Sequence, residues 1–186
     1  MSFITYYTSP LEKIILASNG SALTGVWFDG QKHFASTLLG NEQIKDLPVF
    51  DQAKRWLDIY FDRKIPDFTP PLHLRGSDFR KTVWNILLTI PYGQTTSYGE
   101  ITARFSGRMS SQAIGGAVGH NPISLIVPCH RVIGSNGKLT GYAGGIGIKN
   151  KVARMGKISS RFTIKNQYQN SQKHSFKMSI RYKNNQ

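Results

Sequence analysis

The sequence predicts two small domains, an α/β unit over residues 1–72 and a mainly helical unit over residues 73–146, followed by a basic tail over 147–186. Three observations carry this reading. Short β-branched runs punctuated by turn residues fill the start of the chain and give way to one helical pattern. Prolines then cluster over 65–72. Beyond them the apolar spacing is helical up to a short apolar run that ends in the chain's single cysteine.

From Phe3 to Phe34 the runs and turns alternate: Phe3 to Tyr7, Ser9-Pro10, Ile14 to Ala17, Asn19-Gly20, Leu23 to Phe28, Asp29-Gly30. This predicts an antiparallel sheet with hairpins. Phe50, Ala53, Trp56, Leu57, Tyr60 and Phe61 follow helical spacing. Pro66, Pro70 and Pro71 resist both helix and central strand, which makes 65–72 a linker.

After the linker Ser77 caps a helix whose stripe is Phe79, Val83, Trp84, Leu87 and Leu88, stopped by Pro91 and Gly93. A second helix is expected from Ser97 to Phe105 and a third from Ser110 to Gly119. The third carries Ala113, Gly115, Gly116 and Ala117 where bulky residues are usual. Each helical glycine costs about 1 kcal/mol against alanine, so another backbone is expected close by. DNA against that face or a tightly packed neighbouring helix would supply it.

The formal charge is +14, but residues 147–186 hold ten of the 24 Lys and Arg and none of the ten Asp and Glu. The remaining body carries only +4. No apolar run approaches the roughly 20 residues of a membrane-spanning helix, and the N-terminus lacks the basic-then-apolar pattern of a signal peptide. One cysteine excludes an intramolecular disulfide. The expectation is a cytoplasmic protein without membrane association.

Asn121-Pro122, then Ile123 to Val127, then Pro128-Cys129-His130-Arg131 is the segment that carries chemistry. An apolar run ending in Pro-Cys would deliver a thiol from a buried strand to a cleft wall. A cysteine after an apolar run is more often an inert core residue than a nucleophile. Adjacent His130 and Arg131 tilt the balance, because basic neighbours lower a thiol's pKa and the thiolate is the reactive form. Adjacency in sequence does not make the two side chains face each other. A cysteine protease is disfavoured, since its Cys and His lie far apart in sequence. His33, His73, His120, His130 and His174 show no metal-ligand spacing.

Phe79-Arg80, Val83-Trp84, Ile90-Pro91-Tyr92-Gly93, Ser97-Tyr98, Asn121-Pro122, Pro128-Cys129-His130-Arg131-Val132 and Gly141-Tyr142-Ala143-Gly144-Gly145 occur in order over about seventy residues. This series resembles the active-site domain of the O6-alkylguanine-DNA alkyltransferases. The resemblance implies a ribonuclease-H-like N-terminal domain and a C-terminal domain with a winged-helix-like helix-turn-helix. It implies an alkyl acceptor at Cys129, a base at His130 acting through water, and Asn121 shaping the turn and joining that network. Tyr98 matches the hydroxyl that helps neutralise the departing guanine. Tyr142 and Val132 match pocket residues. Ser97 and Ser135 are expected near the DNA backbone, with Arg131 and Ala143 also on the DNA or substrate side. Alkylated double-stranded DNA is the implied partner, with a monomeric state, no cofactor and no metal. The alkyl group would pass from guanine O6, or less readily thymine O4, in a single turnover.

Displacement at an alkyl carbon needs a soft anionic nucleophile and a proton donor for the leaving guanine, which a thiolate and a tyrosine supply. The target lies inside the stack, so the nucleotide must be flipped out for a few kcal/mol. Two positions depart from the pattern. Gln112 stands where the family has an arginine that fills the hole left by the flipped nucleotide, and it lacks that charge. Gly156 stands where the family has a glutamate that orients the histidine. Lys149 to Lys157 can be encoded AAA AAT AAA GTT GCT AGA ATG GGA AAA, which one nucleotide later reads Lys-Ile-Lys-Leu-Leu-Glu-Trp-Glu, like the family's final helix. A frameshift would explain the tail; a disordered basic tail is the other explanation. A lesion-binding protein without transfer is the alternative function.

Overall fold

The computed structural model describes residues 1–36, 38, 40–106, 109–139 and 142–155. Gly156 and the basic segment after it, with the expectations attached to them, lie outside these residues.

Strands β1 (Phe3–Thr8), β2 (Lys13–Ser18) and β3 (Leu23–Phe28) form the expected antiparallel meander. At the second hairpin Asn19 Oδ1 accepts the N–H groups of Ser21 and Ala22, and Gly20 takes φ +110°, which a side chain would resist. The sheet is not purely antiparallel: β4 (Gln43–Ile44) pairs parallel with β1, giving the order β3-β2-β1-β4. Two residues leave no periodic signal to read. Helix α1 (Pro48–Phe61) packs on β2 and buries Phe50, Ala53, Trp56, Leu57 and Tyr60. It begins ahead of the expected Phe50 because the fixed φ of Pro48 suits a first helical turn.

Every residue of β3 is buried, because its outer edge is covered twice. Leu23 N–H donates to Pro71 O and His73 N–H donates to Leu23 O, both at 2.8 Å. Val26 N–H donates to Pro122 O at 2.9 Å and Ser124 N–H donates to Val26 O at 2.9 Å. The linker and the segment leading to Cys129 thus satisfy one sheet edge, which would otherwise expose unpaired backbone groups. The buried apolar cluster runs from Ile14 and Phe50 in the first domain to Trp84, Ile114 and Val127 in the second.

In the second domain α2 (Asp78–Leu88) is capped by Ser77, and its Trp84 Nε1 donates to Ala117 O of α4 (Ser111–Gly119) at 2.8 Å. The short ladder of β5 (Thr96–Ser97) and β6 (Val132–Ile133) is parallel. Helix α3 (Tyr98–Thr102) stops short of Phe105, because Arg104 and Phe105 donate three residues back, to Ile101 O and Thr102 O. Such bonds tighten and end a last turn. A close-packed helix does not explain the glycines of α4. A Cβ on Gly115 would meet only the Tyr98 ring at 3.8 Å, and one on Gly116 or Gly119 would meet nothing within 4 Å.

Helix α5 (Gly145–Met155) runs across the boundary expected after residue 146. Its Lys149, Val152 and Ala153 are buried at helical spacing, so the chain here is packed structure rather than the start of a tail. Among the described residues no helix is long and apolar enough to cross a membrane.

Candidate active site

Asn121 organises the approach to the thiol. Its Nδ2 donates to Val127 O at 2.8 Å, to Ile123 O at 3.2 Å and to Cys129 Sγ at 3.1 Å, while its Oδ1 accepts from Ile123 N–H at 3.0 Å. The segment is not the buried strand expected from its apolar residues. After one bridge from Ile123 to Val26 it folds into a tight turn, with Val127 N–H on Ile123 O and Leu125 at φ +70°. The turn's own N–H groups reach the Ile123 and Val127 carbonyls, and Asn121 adds a second donor to each and the acceptor for the Ile123 N–H.

Cys129, His130 and Arg131 form one 3-10 turn and are all buried. Burial pushes the Cys129 thiol up; the Asn121 hydrogen bond, the Lys149 charge and the backbone N–H groups of Cys129 and His130 oppose that rise. The expected lowering by His130 and Arg131 is therefore corrected: desolvation wins, and the opposing groups are other ones. Burial, with the charges of Arg131 and Lys149, holds His130 well below the usual histidine range, so it is a neutral imidazole near neutral pH. Its Nε2 lies 3.1 Å from the Tyr60 hydroxyl, and its buried Nδ1 has no hydrogen-bond partner among the described residues. A neutral imidazole with a free lone pair is a base.

Arg131 is corrected more sharply. Its guanidinium donates to Ile90 O at 2.8 Å and lies 5.3 Å from the Tyr92 ring centroid, buried inside the domain rather than on a DNA-facing surface. Val132 is fully buried and its carbonyl accepts from Lys149 Nζ at 2.8 Å. Tyr142 is half-buried with its hydroxyl enclosed, and burial, then the neighbouring Cys129, raises its pKa. Ala143 O accepts from Lys32 N–H at 2.7 Å, tying this strip to the first domain.

The remaining expected residues lie on other parts of the second domain. Tyr98 opens α3, with its ring against Gly115 of α4. Ser97 caps α3 in a reciprocal box with Glu100. Gln112 is exposed in the first turn of α4, and Ser135 is exposed in the turn after β6. Two residues that sequence reasoning missed reach the centre. Tyr60 arrives from the first domain with no sequence signal. Lys149 had one, standing with Val152 and Ala153 on one helical face. No group of three or more His, Cys, Asp or Glu suited to a metal ion occurs among the described residues.

Two family models match: residues 3–74 the ribonuclease-like domain of 6-O-methylguanine DNA methyltransferase, and residues 78–158 its DNA binding domain. The chain belongs to the 6-O-methylguanine DNA methyltransferase family. The "Methylated-DNA--protein-cysteine methyltransferase" of Mycobacterium tuberculosis is 44% identical over 149 residues, 80% of this chain and 88% of that protein. That of Methanosarcina acetivorans is 41% identical over 148 residues, 79% of this chain and 93% of that one. The crystal structure of Mycobacterium tuberculosis OGT in complex with DNA superposes with TM-score 0.75 at 42% identity, covering 83% of this chain and 92% of that one. The family's two-domain architecture, a sheet-containing N-terminal domain and a helical C-terminal one, is the architecture seen here. The methyltransferase DNA-binding match extends through α5, in keeping with that helix's packing.

Proposed function

We propose that this protein repairs alkylated duplex DNA by moving the alkyl group from O6 of guanine, or O4 of thymine, to the sulfur of Cys129. The observation that carries this reading is the Asn121 Nδ2 to Cys129 Sγ hydrogen bond at 3.1 Å, which holds the chain's sole cysteine at the end of its turn. Family membership and relatives named as protein-cysteine methyltransferases support it.

In the reaction His130 takes the thiol proton through a water, and the thiolate attacks the alkyl carbon in line with its bond to O6. The C–O bond breaks, a C–S bond forms, and the guanine anion takes a proton from the Tyr98 hydroxyl. The thioether has no easy route back, so each molecule acts once and needs no cofactor. Asn121 stabilises the thiolate by donating to sulfur, and the Lys149 charge adds to this. Tyr142 and Val132 line the base pocket. Ser97, Ser135 and Ala143 lie along the DNA path, and Gln112 enters the stack where the flipped nucleotide leaves it. The reading takes the first domain as ribonuclease-H-like and α3 with α4 as a helix-turn-helix of winged-helix type. It is supported by the open face at Gly116 and Gly119, which leaves room for another backbone.

The frameshift remains our explanation for the basic segment beyond the family match, which ends at residue 158. Gene codons over Lys149 to Lys157 that fail to give the shifted reading would remove it. The alternative of a lesion binder without transfer is not favoured by the relatives' names.

The deciding experiment is intact-protein mass after incubation with a duplex containing O6-methylguanine. A gain of about 14 Da, one methyl for one thiol hydrogen, is expected in the parent and not in Cys129→Ser. No gain in the parent overturns the reading.

A further inference from the structure

The His130 imidazole has two nitrogens to account for, and only Nε2 meets a protein partner among the described residues. That partner is Tyr60 Oη of α1, 70 residues away and in the other domain. Tyr60 is fully buried and keeps its proton, since burial raises its pKa, with Arg131 opposing. Its oxygen has a second neighbour, Val152 O of α5, at 3.4 Å.

These contacts fix the direction of each bond. A carbonyl only accepts, so Val152 O takes the phenolic hydrogen. The Tyr60 oxygen is then left as an acceptor for Nε2–H, and Nδ1 keeps its lone pair. The opposite arrangement, phenol donating to Nε2, would turn the phenolic hydrogen away from Val152 O and put a hydrogen on Nδ1, the nitrogen left to take the thiol proton. No carboxylate shares a hydrogen bond with His130 among the described residues, so the phenol alone performs this orientation there.

We propose that Tyr60 is a positioning residue for alkyl transfer: its hydroxyl, oriented by Val152 O, holds His130 as the Nε2–H tautomer and leaves Nδ1 as the base. The N-terminal domain thereby completes the acceptor machinery of the C-terminal one. This rests on the reading of Cys129 as acceptor, but its primary test does not depend on activity. The ring positions are held independently by Trp56, whose ring stacks on Tyr60 at 5.3 Å, and by Tyr92 at 6.1 Å edge-on. Phenylalanine fills the same space.

The experiment uses the full chain, labelled with 15N in histidine, as parent and as Tyr60→Phe. In the parent, the His130 nitrogen shifts are expected to report a neutral Nε2–H imidazole; an Nδ1–H imidazole overturns the proposal. In Tyr60→Phe the tautomer preference is expected to be lost. The single-turnover transfer rate at saturating O6-methylguanine duplex should fall about tenfold or more while duplex affinity stays unchanged. An unchanged rate with an unchanged tautomer overturns it. A parent with the Nε2–H tautomer and no methyl uptake at all would instead count against the acceptor reading and leave the Tyr60 contact standing.

Discussion

Lys149 Nζ donates a hydrogen bond to Val132 O at 2.8 Å, inside the protein and beside Cys129. The amine is pushed down from 10.5 to about 8, by burial, with Cys129 partly opposing. Between those values the unfolded chain holds a proton that the folded chain has released. Its contribution to stability is therefore lowest below about 8 and rises with pH from about 8 to about 10.5. Relative to Lys149→Met, which carries no such charge, the parent should gain stability between about pH 8 and about pH 10.5. Denaturant midpoints of both proteins, subtracted at each pH, check this; a difference that does not change with pH sinks it.

Asn121→Ala should be costly in two ways. It leaves the Ile123 N–H without its acceptor and takes one of two donors from each of the Ile123 and Val127 carbonyls, for a loss of about 2 kcal/mol, and it removes the donor to Cys129 Sγ. Chemical denaturation should show the first, and slower methyl uptake per bound duplex the second. Full stability and full rate together would mean that the turn is held by something else.

Gln112 is exposed on the first turn of α4. Gln112→Ala should weaken lesion-duplex affinity and slow repair. Gln112→Arg should tighten binding and steepen its salt dependence by up to about one unit of slope if the guanidinium reaches a phosphate. Affinity titrations at several salt concentrations read both. If Gln112→Ala changes neither affinity nor rate, the wedge role is wrong.

Ser97 has a structural duty that separates from any contact with DNA. Ser97→Ala breaks the cap and should cost about 1 kcal/mol. Ser97→Asp keeps a capping oxygen at the helix start but sets a negative charge beside the proposed DNA path, so stability should return while duplex affinity falls. Affinity unaffected by the aspartate would remove Ser97 from the DNA face.

The hairpins, α1 and the Ser77 cap were legible because their signals are local: a turn residue, a periodic stripe, a hydroxyl three residues before an N–H. The ordered motifs around Cys129 were legible for a related reason, since the residues of one turn are neighbours in the chain. The burial of Arg131 was not. A cation next to a nucleophile reads as functional, and only packing reveals that Ile90 O and the Tyr92 ring enclose it.

By itself the sequence determined the two-domain order, the family and the residue at which the thiol sits, all carried by local patterns and spacing. Only the tertiary structure decided that the approach to Cys129 is a turn rather than a strand, that α5 packs as part of the domain, and that Tyr60 meets His130. Those outcomes depend on contacts between segments tens of residues apart. Burial then reverses the expectation for the thiol, raising it because desolvation in a packed core outweighs the Lys149 charge, whereas at His130 burial and the Arg131 and Lys149 charges act together to keep the ring neutral.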